Sequence, residues 1–390
     1  MKYDMNSSEM TLYPTGHIDS SNAPAIEKEI MEIVDGQNPT SLILDMENLE
    51  YISSAGLRII LKLTRKYGEN LKLINVAHDV YEVFEMTGFT EMVTVEKAFR
   101  VFDVTGCEII GAGANGTVYR IDRDTIVKVY KDATSLDSVK RERELSRTAF
   151  VLGIPTAIPY DVVKVGETYG SVFELLNAKS FDELMIEDAN NLEFVAEKSM
   201  EIAKIIHSTP APANLPSQQE IAFGWAEMVR PYFDEQSFSK LRMLIENIPD
   251  DGMMIHGDLH IKNIMLQNDE TLLIDMDTLC EGHPIYELAF MFNAYKGFGV
   301  SDPGEVERFL GISADTAYRL WRRSLEIYLE TNDKARLDEV EEKASFIGYL
   351  RVMRRAIRIG LDKTEDGRKL IAACKEKLDG LLTRVDTLDF

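Results

Sequence analysis

The residues best suited to chemistry fall in two groups. The first is His256-Gly257-Asp258-Leu259-His260-Ile261-Lys262-Asn263, followed twelve residues after Asn263 by Asp275 in the run LLIDMD. A carboxylate at Asp258 can take a proton from a hydroxyl. Asn263 and Asp275 offer the hard oxygens that Mg²⁺ accepts, an ion that keeps several waters and needs few protein ligands. The second group is Lys128, in the apolar strand-like run IVKVY, and Glu142, fourteen residues later. A lysine in such a strand is costly unless partnered. Glu142 shares a helical stripe with Val139, Leu145, Ala149 and Leu152, and a carboxylate on an apolar face also needs a counter-ion. A Lys128–Glu142 pair satisfies both and aims the ammonium at phosphates. Glu144 is the competing partner but lies off the stripe, and a solvated Glu142 is the plain alternative.

The other features narrow the chemistry. Gly111-Ala112-Gly113-Ala114-Asn115-Gly116-Thr117-Val118 fits G-x-G-x-x-G-x-V. A dinucleotide fingerprint needs a helix directly after it, and TVYRI is strand-like. A Walker A loop needs Lys-Ser/Thr after the last glycine, and Thr117-Val118 stand there. What remains is a glycine loop between two strands, able to bring backbone N–H groups to phosphate oxygens, or an ordinary hairpin. A zinc site at His256 and His260 is rejected: Gly257 and Asp258 disfavour a helix, and the glutamate of H-E-x-x-H is missing. The Asp258–Asn263 spacing matches a kinase catalytic loop, with glycine in place of arginine. A plain polar loop is the bland alternative, weakened because four signals occur in the right order.

These residues must be held by a chain of 390 residues, long enough for two or three domains, with 45% apolar residues to build their cores. Lys and Arg number 43 against 66 Asp and Glu, a net charge of −23, which repels nucleic acid and anionic membrane surfaces. No apolar run approaches the roughly 20 residues of a membrane span. MKYDMNSSEM has no signal-peptide core, and three scattered cysteines argue against a disulfide framework. These features lead us to expect a cytoplasmic protein with neither nucleic-acid nor membrane partners.

The patterning divides the chain near residue 105, into expected domains at 1–100 and 107–390. The first alternates short strands and helices: MTLYPTG, a helix capped by Asp19 or Ser20 and running to about Ile33, SLILDM as a buried strand, a helix after Ser54, LKLINV, a short helix closed by Gly88, and MVTVE. That order predicts a small α/β sandwich. The second opens with β-like runs around the glycines. A helix Val139–Leu152 stopped by Gly153 and a strand SVFELL follow. The rest is mostly helical, with a strand-loop-strand insert at 253–277. An α+β domain with a β-rich lobe followed by a helical lobe is expected.

On the 111–118 loop, Lys128, HGDLHIKN and IDMD, residues 107–390 resemble the aminoglycoside phosphotransferase/choline kinase family of the protein-kinase-like fold. The resemblance implies Mg²⁺ and ATP as cofactors and transfer to a small-molecule hydroxyl acceptor. It assigns Gly111, Gly113, Gly116, Val118 and Lys128 to the nucleotide, counts Lys128 and Glu142 with the catalytic residues, and makes Glu174-Leu175-Leu176 the hinge whose backbone meets adenine. Asp258 becomes the catalytic base, Asn263 and Asp275 the metal ligands. Asp277 stands where D-F-G has its glycine, no A-P-E occurs, and GHPIYELAF begins seven residues after Asp275. No room is left for an activation segment, which favours a small-molecule acceptor over a protein.

The run Asp45-Met-Glu-Asn-Leu-Glu-Tyr51-Ile52-Ser53-Ser54-Ala55-Gly56-Leu57-Arg58 is similar to the signature of STAS domains of the anti-sigma-factor antagonist type. The likeness implies a protein partner and a regulatory phosphorylation site at Ser54. A phosphate at a helix start is favoured by its N–H groups and dipole; Ser54 as a mere N-cap is the alternative. The family often has Asp-Ser where this chain has Ser53-Ser54.

The expected whole is a phosphotransferase with a regulatory STAS module. The alternatives are a signalling protein whose kinase-like part modifies a protein serine, Ser54 or a partner's equivalent, and a nucleotide sensor without turnover. Arg351, Arg354, Arg355 and Arg358 share one helical face, opposite Phe346, Leu350, Met353 and Ile357. They could hold an anion; pairing with acids such as Glu341 and Glu342 is the expectation.

Overall fold

In the run Ser41–Asp45 only Leu42 and Leu44 are buried, the period of two expected of a strand with one face on a core. It lies in a five-stranded sheet in the order Lys2–Asn6, Glu9–Tyr13, Ser41–Asp45, Leu71–Val76, Thr94–Lys97. The first pair is antiparallel and the rest are parallel. Helices Ala23–Gln37, Ser54–Tyr67 and His78–Met86 complete this unit. Its core joins Met10, Leu12, Leu42, Leu44, Ile59, Leu63, Leu73 and Phe84. The computed structural model describes residues 1–113, 116–131 and 136–390. The chain divides into two compact units, Met1–Asp103 and Val104–Phe390.

Three local expectations are corrected here. The strand Lys2–Asn6 was not foreseen, because all of it is exposed and it carries no apolar period. The first helix is preceded by Asn22, and Asp19 instead accepts from the Ser21 and Asn22 amides in the turn before it. The second helix is capped by Ser53, whose Oγ accepts from Ala55 N at 3.2 Å and Gly56 N at 3.5 Å. Ser54 is the first residue inside that helix and is exposed.

In the second unit, strands Glu108–Ala112, Gly116–Arg120, Thr125–Tyr130, Thr168–Glu174 and Pro159–Val165 lie side by side in that order, all antiparallel. Helix Leu136–Val151 packs on this sheet. Val139, Glu142, Leu145 and Ala149 are buried as the stripe predicts, but Leu152 is 41% exposed. The stripe ends a turn early, because Gly153 at φ +83° has already left the helix.

The helical lobe is built around Pro284–Tyr295, whose residues from Ile285 onward are all buried. A helix apolar all round belongs at a core. Lys334–Arg358 lies against it, with Trp321, Phe292 and Phe346 filling the space between helices. Two small ladders are set into this lobe: Lys179–Ser180 with Ile264–Gln267 and Glu270–Leu273, and Met254–Ile255 with Cys280–Glu281. They pin both ends of residues 256–263. Among the described residues no helix is long and apolar enough to cross a membrane.

Candidate active site

The loop 256–263 is held from below by one carboxylate. Glu287 has no exposed surface. It accepts from the backbone N–H groups of His256 at 2.5 Å, Gly257 at 3.2 Å and Leu259 at 3.2 Å. His207 Nε2 stands 3.8 Å away. Burial pushes the Glu287 carboxyl up, but the His207 and His256 rings and the loop N–H groups outweigh it and keep it below its ordinary value. Gly257 has φ +83°, and a Cβ there would meet the Thr278 carbonyl oxygen at 2.4 Å, so this position requires glycine. The His256 ring is tied at both nitrogens. Nε2 faces the Ile274 carbonyl at 3.1 Å, and Nδ1 accepts from Asp258 N at 3.3 Å. Both ring nitrogens are thereby spent inside the loop network, which makes His256 a structural rather than a metal-binding histidine.

Asp258 thus leaves the loop at a fixed angle, its side chain 40% exposed. Arg351 Nη2 lies 3.1 Å from Oδ1 and His260 Nε2 lies 3.5 Å from Oδ2. Burial alone would raise this carboxyl. The His260 ring and the Arg351 guanidinium outweigh it and hold it well below the carboxylate range. Asn263 Nδ2 donates to the Asp258 carbonyl at 2.9 Å, so the amide oxygen is the half left for a cation. Ile264 pairs with Leu273, and Ile274 N donates to Asn263 O at 3.0 Å. That register sets Asn263 beside the residue before Asp275. Asp275 itself adopts φ +65°, a left-handed conformation uncommon for aspartate.

The two groups named from sequence meet at Lys128. Its Nζ lies 2.8 Å from Glu142 Oε1 and 2.7 Å from Asp275 Oδ1. Glu142, only 4% exposed, also accepts from the Tyr130 hydroxyl. Glu144 pairs instead with Arg147 on the surface. Burial would lower the Lys128 ammonium, but Glu142 and Asp275 together hold it above its usual value, and so charged. Ligand oxygens of Glu142, Asp275 and Asp277 lie within 4.8 Å of one another. Burial, Asp275 and Glu142 push the Asp277 carboxyl up to about 7. The three carboxylates of this cluster form an all-oxygen donor set, which suits Mg²⁺, and the Asn263 backbone is bonded to Ile274, one residue before Asp275.

Of the glycine loop, Ala114 and Asn115 lie outside the described residues. Val118 pairs with Lys128 on one side and Gly111 on the other. Gly113 N donates to Gly116 O at 2.9 Å. A Cβ on Gly116 would meet the Val129 carbonyl oxygen at 2.3 Å, so packing alone already demands that glycine. At the other edge Glu174 N donates to Ile158 O and Leu175 N to Asp124 O, at 3.0 and 2.8 Å. Leu176 N has no hydrogen-bond partner among the described residues. Ser54 belongs to the first unit.

Sequence reasoning missed Glu287 and gave Arg351 the wrong partner. The signal for Glu287 was one carboxylate in the apolar run PIYELAFMF. The arginine expectation is corrected: Glu341 is taken by Lys296 at 2.5 Å and Arg322 at 3.0 Å, and Glu342 by Arg384 at 2.7 Å. Arg351 goes to Asp258 instead, a partner 93 positions away that helical periodicity cannot reveal.

The family model described as "Phosphotransferase enzyme family" matches residues 106–323, and the STAS domain model matches 2–103. BtrV of Bordetella bronchiseptica is 39% identical over 83 residues, which are 20% of this chain and 71% of that protein. The anti-sigma-F factor antagonist RsfB of Mycobacterium tuberculosis is 31% identical over 108 residues, 28% of this chain and 81% of that protein. A thermostable aminoglycoside phosphotransferase APH(4)-Ia, solved with AMP-PNP and hygromycin B, has TM-score 0.50 and 14% identity, covering 71% of this chain and 94% of that chain. A likeness so distant speaks for the fold of the second unit. The family match covers more than half of the chain, over the segment that holds Lys128, Asp258 and Asp275, so the protein belongs to the phosphotransferase enzyme family and carries a STAS domain akin to anti-sigma-factor antagonists in front of it.

Proposed function

We propose that the chain transfers the γ-phosphoryl group of ATP to the hydroxyl of a small molecule, with the STAS domain as a regulatory, partner-binding module. The observation that carries this reading is Lys128 bridging Glu142 and Asp275, 2.8 and 2.7 Å away, beside the Asp258 loop. In this reading Glu142 orients Lys128, whose ammonium meets phosphate oxygens. The glycine-loop amides and Val118 cover the phosphates, and the Glu174–Leu176 backbone, with the open Leu176 N–H, meets adenine. Asn263 and Asp275, with Asp277 near, would hold Mg²⁺. The bound ion supplies charge neutralisation at the phosphate oxygens. Asp258 orients the acceptor hydroxyl. A carboxylate held so low is a weak base, so its work is positioning and late proton acceptance, as a loose phosphoryl-transfer transition state needs.

Lys128→Met tests this assignment. ATP turnover is expected to fall at least about a hundredfold, since the phosphates lose their positioning cation. Glu142 is then left with Tyr130 alone, at a cost of about 3 kcal/mol or more. Adding Glu142→Gln should restore melting temperature but not activity. Turnover like the parent's in Lys128→Met would reduce the bridge to a structural ion pair.

A second reading, phosphorylation of a protein serine, is favoured only by Ser54, exposed at the start of its helix. Phosphate there would add about −1.5 to −2 charge at a helix N-terminus. Mass spectrometry after incubation with Mg-ATP checks it. Label on Ser54 that vanishes in Asp258→Asn marks a cis reaction; label only on protein isolated from cells marks a separate kinase. Absence in both leaves the STAS module unmodified.

A further inference from the structure

Acids outnumber bases 66 to 43 in this chain, and arginines such as Arg322, Arg323 and Arg351 pair with carboxylates. Arg354, Arg355 and Arg358 form no ion pair among the described residues. They lie on helix Lys334–Arg358, beyond the stretch the phosphotransferase family model matches. Arg351, one turn earlier on that helix, touches Asp258 and stacks 3.9 Å from the Phe290 ring centroid. Arg354 stacks 4.7 Å from the Trp225 centroid, and the Trp225 and Phe290 rings are 6.0 Å apart. Two guanidinium groups therefore lie on one continuous aromatic wall that begins at Asp258.

The wall is short of negative charge. Arg354 Nε is buried without a hydrogen-bond partner. Burial and then the charges of Arg358, Arg351 and Arg355 push the Arg354 guanidinium down to about 10, and no carboxylate acts against them. A buried, unpaired donor in a cluster of like charges is costly unless something fills its place. A guanidinium placed 4.7 Å from an indole ring centroid is a planar fork that can bind a carboxylate or phosphate through two parallel hydrogen bonds. The three-residue step from Arg351 to Arg354 corresponds to about 4.5 Å along the helix axis.

We propose that the acceptor is itself an anion: a hydroxyl compound whose carboxylate or phosphate is gripped by Arg354, with Arg355 and Arg358 at the mouth, while its hydroxyl lies at Asp258 about one helical turn away. The inference rests on Asp258 marking the acceptor end, as the proposed function has it. It makes the acceptor an acidic one, selected by charge and by the spacing between the anion and the hydroxyl.

Titration calorimetry on the full chain, with Mg²⁺ and AMP-PNP present, tests this using inorganic phosphate, D-glycerate, glycerol 3-phosphate, choline and kanamycin. Phosphate and at least one of the two hydroxylated anions are expected to bind; the stronger of the two identifies carboxylate or phosphate as the recognised group. Arg354→Gln should weaken that binding about tenfold or more, the loss of one charge-assisted pair. Arg355→Gln, a surface change that spares the fold, should weaken it severalfold. Arg319→Gln, an exposed arginine on another helix, should leave it unchanged. Asp258→Asn should keep anion binding and lose ATP turnover with the anion. Anions that bind through Arg354 but are not phosphorylated by the parent would keep the anion site and remove the phosphotransfer reading. Binding of choline or kanamycin without the anions, binding of none of the anions, or anion binding indifferent to both Arg354→Gln and Arg355→Gln would overturn the proposal.

Discussion

Asp258→Asn is expected to lower phosphoryl transfer by about a thousandfold while leaving the affinity for Mg-nucleotide within a few-fold of the parent. General-base and positioning groups contribute on that scale. The substitution keeps the size of the side chain and its place between Arg351 and His260, 3.1 and 3.5 Å away. It removes only the charge and the basic oxygen. Asp275→Asn gives the contrasting result: its carboxylate lies 2.7 Å from Lys128 and within the Glu142–Asp277 cluster, so nucleotide binding in the presence of Mg²⁺ should weaken along with turnover. Steady-state rates and nucleotide titration of the two variants side by side check the division of labour. Equal loss of nucleotide affinity in both would show that Asp258 does not face the acceptor.

Glu287→Ala is expected to be the most destabilising single change near the site, at about 4 kcal/mol. It leaves the buried N–H groups of His256, Gly257 and Leu259 without their acceptor, and each unsatisfied donor costs about 1–3 kcal/mol. The effect carries a pH signature. A carboxyl held lower in the folded chain than its ordinary 4.5 stabilises fully above that value, and the contribution is lost as pH falls through the folded value. The stability gap between parent and variant should therefore be constant from about pH 6 upward and shrink on acidification. Denaturant unfolding at several pH values measures it. A gap that grows toward low pH would mean that Glu287 is not the ionised acceptor of these amides.

Much of this site was legible in the sequence because its parts announce themselves locally. Lys128 stands out in an apolar strand and Glu142 on an apolar helix face, and burial forces such residues toward each other. The same stripe separated Glu142 from Glu144. The 256–263 loop was legible through its residue types, and Gly257 proves to be needed for its backbone. What holds the loop was not legible. Glu287 comes from a helix about thirty residues on, and Arg351 from one about ninety residues on. Periodicity reports which face of a helix is apolar, not which distant loop that face meets. The arginines were accordingly assigned to Glu341 and Glu342, their neighbours in sequence, when those acids serve Lys296, Arg322 and Arg384. In the first unit, SLILDM and LKLINV were readable by their apolar content. Lys2–Asn6 was not, since an edge strand with no buried face has no pattern to show. The choice between Ser53 and Ser54 as helix cap turned on a single residue of register, which composition cannot resolve.

The fate of the γ-phosphoryl group bears most directly on what this protein does. Full-length chain is incubated with Mg²⁺, γ-labelled ATP and a panel of hydroxylated anions, amines and sugars, and the label is then divided between protein, water and small molecules. The expected result is label on a small-molecule hydroxyl, absent in Asp258→Asn and in Lys128→Met. Label confined to the protein, or released only as inorganic phosphate whatever the acceptor offered, would contradict it.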